Sequence, residues 1–271
     1  MNALKRLASA AVAMGIIFGV LYVGARYELG GRDLRWIAGV LVMGVVYLAS
    51  VEYVHLMRRM EIPLAAPEFL VCVVVLSLSF VVFEQDYAEL VLVLAIAYQV
   101  LRYLGVTPHR TGLNQAAAGV FGLLYIPWLM RFFYLIYMGG VDQPPHVGAV
   151  NALVVLLMVW GYDSGAYFVG RLIGRHPAFP TVSPKKTWEG VVGGFALCLA
   201  GAVVGASLSP VWRELLFGRG FFHVPIITLL VGWAVQLGDL FASKLKRAAE
   251  VKDSGTFLPG HGGALDLSLI H

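Results

Sequence analysis

Residues 147–162 read Val-Gly-Ala-Val-Asn-Ala-Leu-Val-Val-Leu-Leu-Met-Val-Trp-Gly-Tyr, and the run then passes into Asp163-Ser-Gly-Ala-Tyr-Phe-Val-Gly170-Arg171. An uncharged stretch of this length approaches the about 20 apolar residues needed to cross hydrocarbon. Working outward, runs free of Asp, Glu, Lys and Arg recur at 7–25, 36–51, 69–83, 90–101, 111–130, 190–212 and 220–238. Only helices or closed barrels satisfy their backbone groups in lipid, and runs this long suit helices. The expected fold is therefore all-α: a polytopic membrane bundle of about eight transmembrane helices. Composition agrees, because 59% of the 271 residues are hydrophobic and 13% charged, against roughly 25% charged in soluble domains. The mean hydropathy is +0.79.

The same composition excludes several functions. Cys72 and Cys198 both lie in apolar runs, so no CxxC metal pair, disulfide framework or thiol nucleophile is available. The net charge of +4 comes from Lys and Arg in short loops, where they set membrane orientation rather than bind nucleic acid. Placing Lys5, Arg6, Arg58, Arg59, Arg171, Arg175, Lys185, Lys186 and the basic tail on one side favours a cytoplasmic N-terminus. The expected location is the inner (plasma) membrane. The chain shows no fixed-period repeat. Its character shifts near Pro144 and Pro145, dividing one membrane domain into an N-terminal half, 1–145, and a C-terminal half, 146–271, that carries the polar strings.

Those strings define the candidate site. Asp163 follows the apolar run directly, where an ionisable residue usually faces a bundle interior or polar cavity. Gly161 and Gly165 form a GxxxG pair suited to close helix packing. In Ser183-Pro-Lys-Lys-Thr-Trp-Glu-Gly190, Ser183 reads as an N-cap and Pro184 as the first helical residue. That reading puts Lys185 and Lys186 in the first turn, against the macrodipole, which makes sense if a phosphate is held there. The plainer reading is an anchor at the headgroups. Asp239, Ser243 and Lys246 or Arg247 recur at helical spacing. Beyond them come Lys252-Asp253, Pro259-Gly-His261-Gly262-Gly263 and Asp266. Two glycines after His261 permit close backbone approach to a ligand, and Asp239, Asp253 and Asp266 are hard oxygen donors suited to Mg²⁺.

Carboxylates, lysines, arginines and glycine-rich turns at the ends of the last spans fit phosphoryl or nucleotidyl transfer from a cytosolic polyphosphate to a lipid. Chemistry alone leaves the base and the lipid open. It also leaves open a polyprenyl-phosphate transferase, a cation-coupled transporter using Asp163 and Asp239, and a non-catalytic remnant that binds the nucleotide or lipid.

The string Ser243-x-Leu-Lys246-Arg247, Lys252-Asp253, Pro259-x-His261-Gly262-Gly263-x-x-Asp266 resembles the hallmark of the phosphatidate cytidylyltransferase (CDP-diacylglycerol synthase) family, and the 183–190 and Asp163 strings look like its other motifs. The resemblance runs from about Trp160 to Asp266, and the N-terminal half matches mainly in hydropathy. It implies that CTP and phosphatidic acid give CDP-diacylglycerol and pyrophosphate. It further implies Asp239 and Asp266 as Mg²⁺ carboxylates, with Asp253 and Asp163 near the same cavity. Lys185, Lys186, Lys246 and Arg247 would hold phosphates, and Ser183 with the His261-Gly262-Gly263 turn would shape the nucleotide site. A monovalent cation such as K⁺ beside Mg²⁺, and a homodimer through the glycine-rich faces, stay open. After Asp266 the family pattern continues with Arg, an apolar residue and a second Asp, whereas Leu267 and Leu269 stand at the charged positions here. A weakened metal site is the resulting expectation.

Overall fold

Hydrocarbon offers no water to unpaired N–H and C=O groups, so apolar runs of this length close their hydrogen bonds internally as helices. The computed structural model describes residues 3–29, 32–83, 87–139, 144–218, 223–255 and 263–265. Every apolar run named above has its core in a helix. Five helical stretches are long and apolar enough to cross a membrane among the described residues: Trp36–Arg59, His109–Met138, Pro145–Ile173, Trp188–Leu208 and His223–Ala248. The chain is therefore a multi-pass, all-α membrane protein.

The chain divides into two compact units, Met1–Leu135 with Leu245–Ser268, and Ile136–Lys244 with Leu269–His271. In the first, helix α1 (Ala3–Arg26) leads through the short strands β1 (Glu28–Leu29) and β2 (Arg32–Asp33) to α2 (Trp36–Arg59). Helices α3 (Ala66–Val81), α4 (Ala88–Tyr103) and α5 (His109–Leu123) follow. A π-turn at Leu124–Trp128 joins α5 to α6 (Leu129–Met138). Pro127 lies in that turn, where the wider winding accommodates a residue without an N–H. Tyr53, Phe69, Leu76, Phe80 and Leu123 are buried in the core of this unit, and the Tyr53 hydroxyl donates to the Ala118 carbonyl at 2.8 Å. Arg131, immediately after the fifth apolar run, is buried but compensated: it donates to Glu89 on α4 at 2.8 Å and lies 4.5 Å from the Trp128 ring centre. Exposed Leu90, Val93, Leu94 and Leu101 on α4 suit a lipid-facing surface.

The second unit is built on α7 (Pro145–Ile173) and α8 (Trp188–Leu208), joined by a hairpin of β3 (Pro177–Phe179) and β4 (Ser183–Thr187). After α8, Ser209 caps the four-residue α9 (Pro210–Arg213), and a π-turn at Glu214–Gly218 precedes α10 (His223–Ala248). The run 190–212 is thus broken at Ser209, whose hydroxyl accepts from the Trp212 N–H and donates to Asn151 of α7 at 2.9 Å. Helices α7 and α8 pack antiparallel through small residues. A Cβ on Gly161 would sit 2.8 Å from the Leu197 carbonyl oxygen, and one on Gly165 would strike the Gly193 carbonyl. Farther along, Gly201 faces Leu157 and Gly205 faces Val154. The GxxxG reading of Gly161 and Gly165 is therefore borne out as close backbone approach.

Gly165→Val should lower the thermal unfolding midpoint in detergent, because overpacking of this kind costs about 1–3 kcal/mol. Gly44→Val on α2, where a Cβ meets nothing within 4 Å, should leave the midpoint unchanged. Equal midpoints for the two variants would show that α7 and α8 do not depend on this contact.

Candidate active site

The local sequence around the two lysines folds differently from its Ser-Pro signature. Ser183 and Pro184 do not open a helix; they begin strand β4, with Phe179 opposite Ser183 and Pro177 opposite Thr187. The helix start lies at Thr187, whose extended backbone and side-chain oxygen, accepting from the Gly190 N–H at 3.2 Å, make it the N-cap of α8. Lys185 and Lys186 therefore precede the helix rather than occupy its first turn. The first turn instead carries Glu189, the charge a helix N-terminus favours. Glu189 also secures the hairpin, accepting from the His176 backbone N–H at 3.3 Å and pairing with His176 Nδ1 at 2.5 Å. The Trp188 N–H donates to the His176 carbonyl at 2.9 Å, and the Phe179 and Trp188 rings lie 5.9 Å apart.

These contacts fix β4 against the end of α7. Gly170 and Gly174 leave space for the Thr187 side chain, which a Cβ at Gly174 would meet at 2.5 Å. Successive side chains of a strand point to opposite faces. Lys185 is exposed, whereas Lys186 is turned inward and forms an ion pair with Asp239 of α10; the two side chains are 25% and 35% exposed. Asp163 of α7, half-buried, has Asp239 and Lys186 as its charged neighbours. Its Oδ2 is buried and has no hydrogen-bond partner among the described residues.

A second contact locks the two carboxylates in register. The Tyr162 hydroxyl donates to Gln236 Oε1 at 2.9 Å, both side chains being almost wholly buried. Tyr162 immediately precedes Asp163, and Gln236 lies just under one helical turn before Asp239. Sequence reading passed over this pair. The available signal was Gln236, an amide inside the apolar run 220–238 that needs a buried partner.

With both acids ionised, Asp163, Asp239 and Lys186 hold two negative charges and one positive. One negative charge in a partly desolvated setting then lacks compensation, and carboxylate oxygens are the donors Mg²⁺ prefers. Among the described residues no three His, Cys, Asp or Glu side chains gather as a metal site. The local donor set is this pair of acids.

The remaining candidates are distributed otherwise. Ser183 is half-buried in β4. Lys246, half-buried, and Arg247, exposed, occupy the last turn of α10, where cations also complement the helix dipole. Asp253 is exposed in the bend after that helix, and Gly263 is buried. His261, Gly262 and Asp266 lie outside the described residues, so the pairing of Asp239 with Asp266 on a metal is not described. The structure thus unites Asp163, Lys186 and Asp239 and separates Lys185 from them.

A model of the cytidylyltransferase family matches residues 4–267. A phosphatidate cytidylyltransferase of Bacillus subtilis (strain 168) is 31% identical over 228 residues, covering 84% of this chain and 81% of the relative. One from Brucella suis biovar 1 (strain 1330) is 41% identical over 161 residues, or 59% of this chain and 54% of the relative. One from Staphylococcus epidermidis RP62A is 33% identical over 199 residues, 70% of each.

The inward lysine should couple energetically to its carboxylate and the outward one should not. In double-mutant cycles read by unfolding in detergent, Lys186→Met with Asp239→Asn should give an interaction of about 1 kcal/mol or more, and Lys185→Met with Asp239→Asn close to zero. Equal coupling would contradict the opposite orientation of the two lysines.

Proposed function

We propose that this chain, which belongs to the cytidylyltransferase family, is a nucleotidyltransferase that passes the cytidylyl group of CTP to phosphatidic acid, giving CDP-diacylglycerol and pyrophosphate. The observation that carries the chemistry is the junction of Asp163, Asp239 and Lys186 at the meeting of α7, β4 and α10. Family membership supplies the substrates, through the relatives named phosphatidate cytidylyltransferase, and sets the transporter reading aside.

In the reaction a phosphatidate oxygen attacks the α-phosphorus of CTP. The new P–O bond forms as the bond from the α-phosphorus to the bridging oxygen breaks, and that electron pair leaves with pyrophosphate. Little covalent catalysis is required of the protein; it positions the groups and offsets negative charge. Asp163 and Asp239 are the residues of this unit that would hold Mg²⁺. The chemistry such an ion would supply there is Lewis-acid withdrawal of charge from the phosphate oxygens. Lys186, held inward by Asp239, presents its ammonium where that charge develops. Lys185, on the outer face of β4, takes a phosphate of the approaching nucleotide or lipid. Lys246, Arg247, Asp253, Ser183, His261, Gly262, Gly263 and Asp266 enter through the family motif, the first two as phosphate ligands and Asp266 as a further metal carboxylate. The site faces the cytoplasm at the inner membrane, where CTP is dissolved and phosphatidate lies in the bilayer.

Purified chain in liposomes containing phosphatidic acid should convert labelled CTP to CDP-diacylglycerol, and chelation of Mg²⁺ should abolish the product. Asp239→Asn and Lys186→Met should each lower kcat by about 10²–10³-fold, the range for removing one preorganised charge-stabilising group. Full Mg²⁺-dependent activity in Asp239→Asn would refute the metal assignment. Absence of product from folded wild-type protein would refute the substrates.

A further inference from the structure

Glu52 is an isolated acid on α2, at the end of the apolar run 36–51. A carboxylate in such a helix normally pairs with a cation or lines a functional cavity. Here it is engaged by donors from the distant C-terminal segment of the same unit. Glu52 Oε1 accepts from the Ala264 N–H at 2.8 Å, and Oε2 accepts from the Leu265 N–H and the Ser254 hydroxyl, each at 2.9 Å. Ser254, Gly263, Ala264 and Leu265 are all buried. The partners thus stand on both sides of residues 256–262 in the sequence, and one carboxylate ties Ser254 to Ala264 and Leu265.

The fit around the carboxylate is close. A Cβ built on Gly255 meets three atoms first, and all three belong to Glu52; the same holds at Gly263. Neither glycine has a left-handed φ, so the acid, rather than backbone twist, excludes a side chain. Gln is a poor substitute, since its amide nitrogen would turn further N–H donors toward donors.

We propose that Glu52 is a positioning residue for nucleotidyl transfer. It ties Ser254 to Ala264 and Leu265, residues that in the sequence stand on either side of the motif positions His261, Gly262 and Gly263 and directly before Asp266. It acts through the backbone it holds, and its effect on turnover rests on the function proposed above.

The test uses the full chain in detergent or nanodiscs and has two independent readouts. By hydrogen exchange with mass spectrometry, Glu52→Ala should speed exchange at Ala264 and Leu265 by about tenfold or more, the signature of a lost local closure. In the liposome assay it should lower kcat by about tenfold or more, with KM for CTP changed less than about threefold. Gly255→Ala should reproduce both effects by displacing the carboxylate, and Glu52→Ala/Gly255→Ala should be no worse than Glu52→Ala, because the three atoms nearest the added methyl all belong to Glu52. Unchanged exchange in Glu52→Ala overturns the clamp. Faster exchange with wild-type kcat overturns the positioning role. Should wild-type protein form no CDP-diacylglycerol, the functional reading fails by itself, while loss of protection in Glu52→Ala still establishes the clamp.

Discussion

The second unit depends on how closely α7 and α8 approach. Their contact runs through backbone, with Gly161 against Leu197 and Gly165 against Gly193, a spacing that no larger side chain permits. Because the β3–β4 hairpin links these helices, their separation determines where β4 lies and how far Lys186 can reach. The last turn of α7 continues the same logic: Gly170 and Gly174 admit Thr187, which caps α8 and ends β4 at one point. Small residues therefore serve the chemistry indirectly, by carrying a lysine to a carboxylate.

The charges obey a related constraint. A lone acid at the edge of an apolar helix is costly, and a second beside it compounds the cost. Tyr162 and Gln236 hold Asp163 and Asp239 in register despite that repulsion. Lys186 offsets part of the charge, which leaves the cluster suited to a further cation or to the cation-bound phosphates of a nucleotide. The price in stability is small enough to persist because α7 and α10 are held together elsewhere by apolar burial, in which Met158, Tyr162 and Val235 take part.

Much of this was legible in the sequence because hydrophobic run length responds to the solvent rather than to distant partners. Each run found its helix, and Gly161 with Gly165 packed as the spacing indicated. The Ser183-Pro184 start was misread for a local reason. Both residues favour a helix start, but Thr187 offers a cap as well, followed by a Glu in the first turn, and cross-strand pairing with Pro177–Phe179 holds the intervening residues extended. Two caps competed, and the tertiary contact with Gly174 favours the later one. The division of labour between Lys185 and Lys186 was equally hidden, since it follows from strand alternation that a helical reading cannot produce.

Glu52 marks the limit of local reading. Its donors lie more than two hundred positions away, at Ser254, Ala264 and Leu265, and in sequence it looks only like the polar end of an apolar run. The same carboxylate group meets two different settings in this chain. Asp163 and Asp239 stand near each other with too few donors, which favours capture of a cation. Glu52 has three neutral donors and no second acid among the partners described, so its charge is spread over hydrogen bonds and organises backbone instead. What suits one acid to a cation and another to holding backbone is therefore the balance of donors around it, a quantity fixed by the fold and not by the residue.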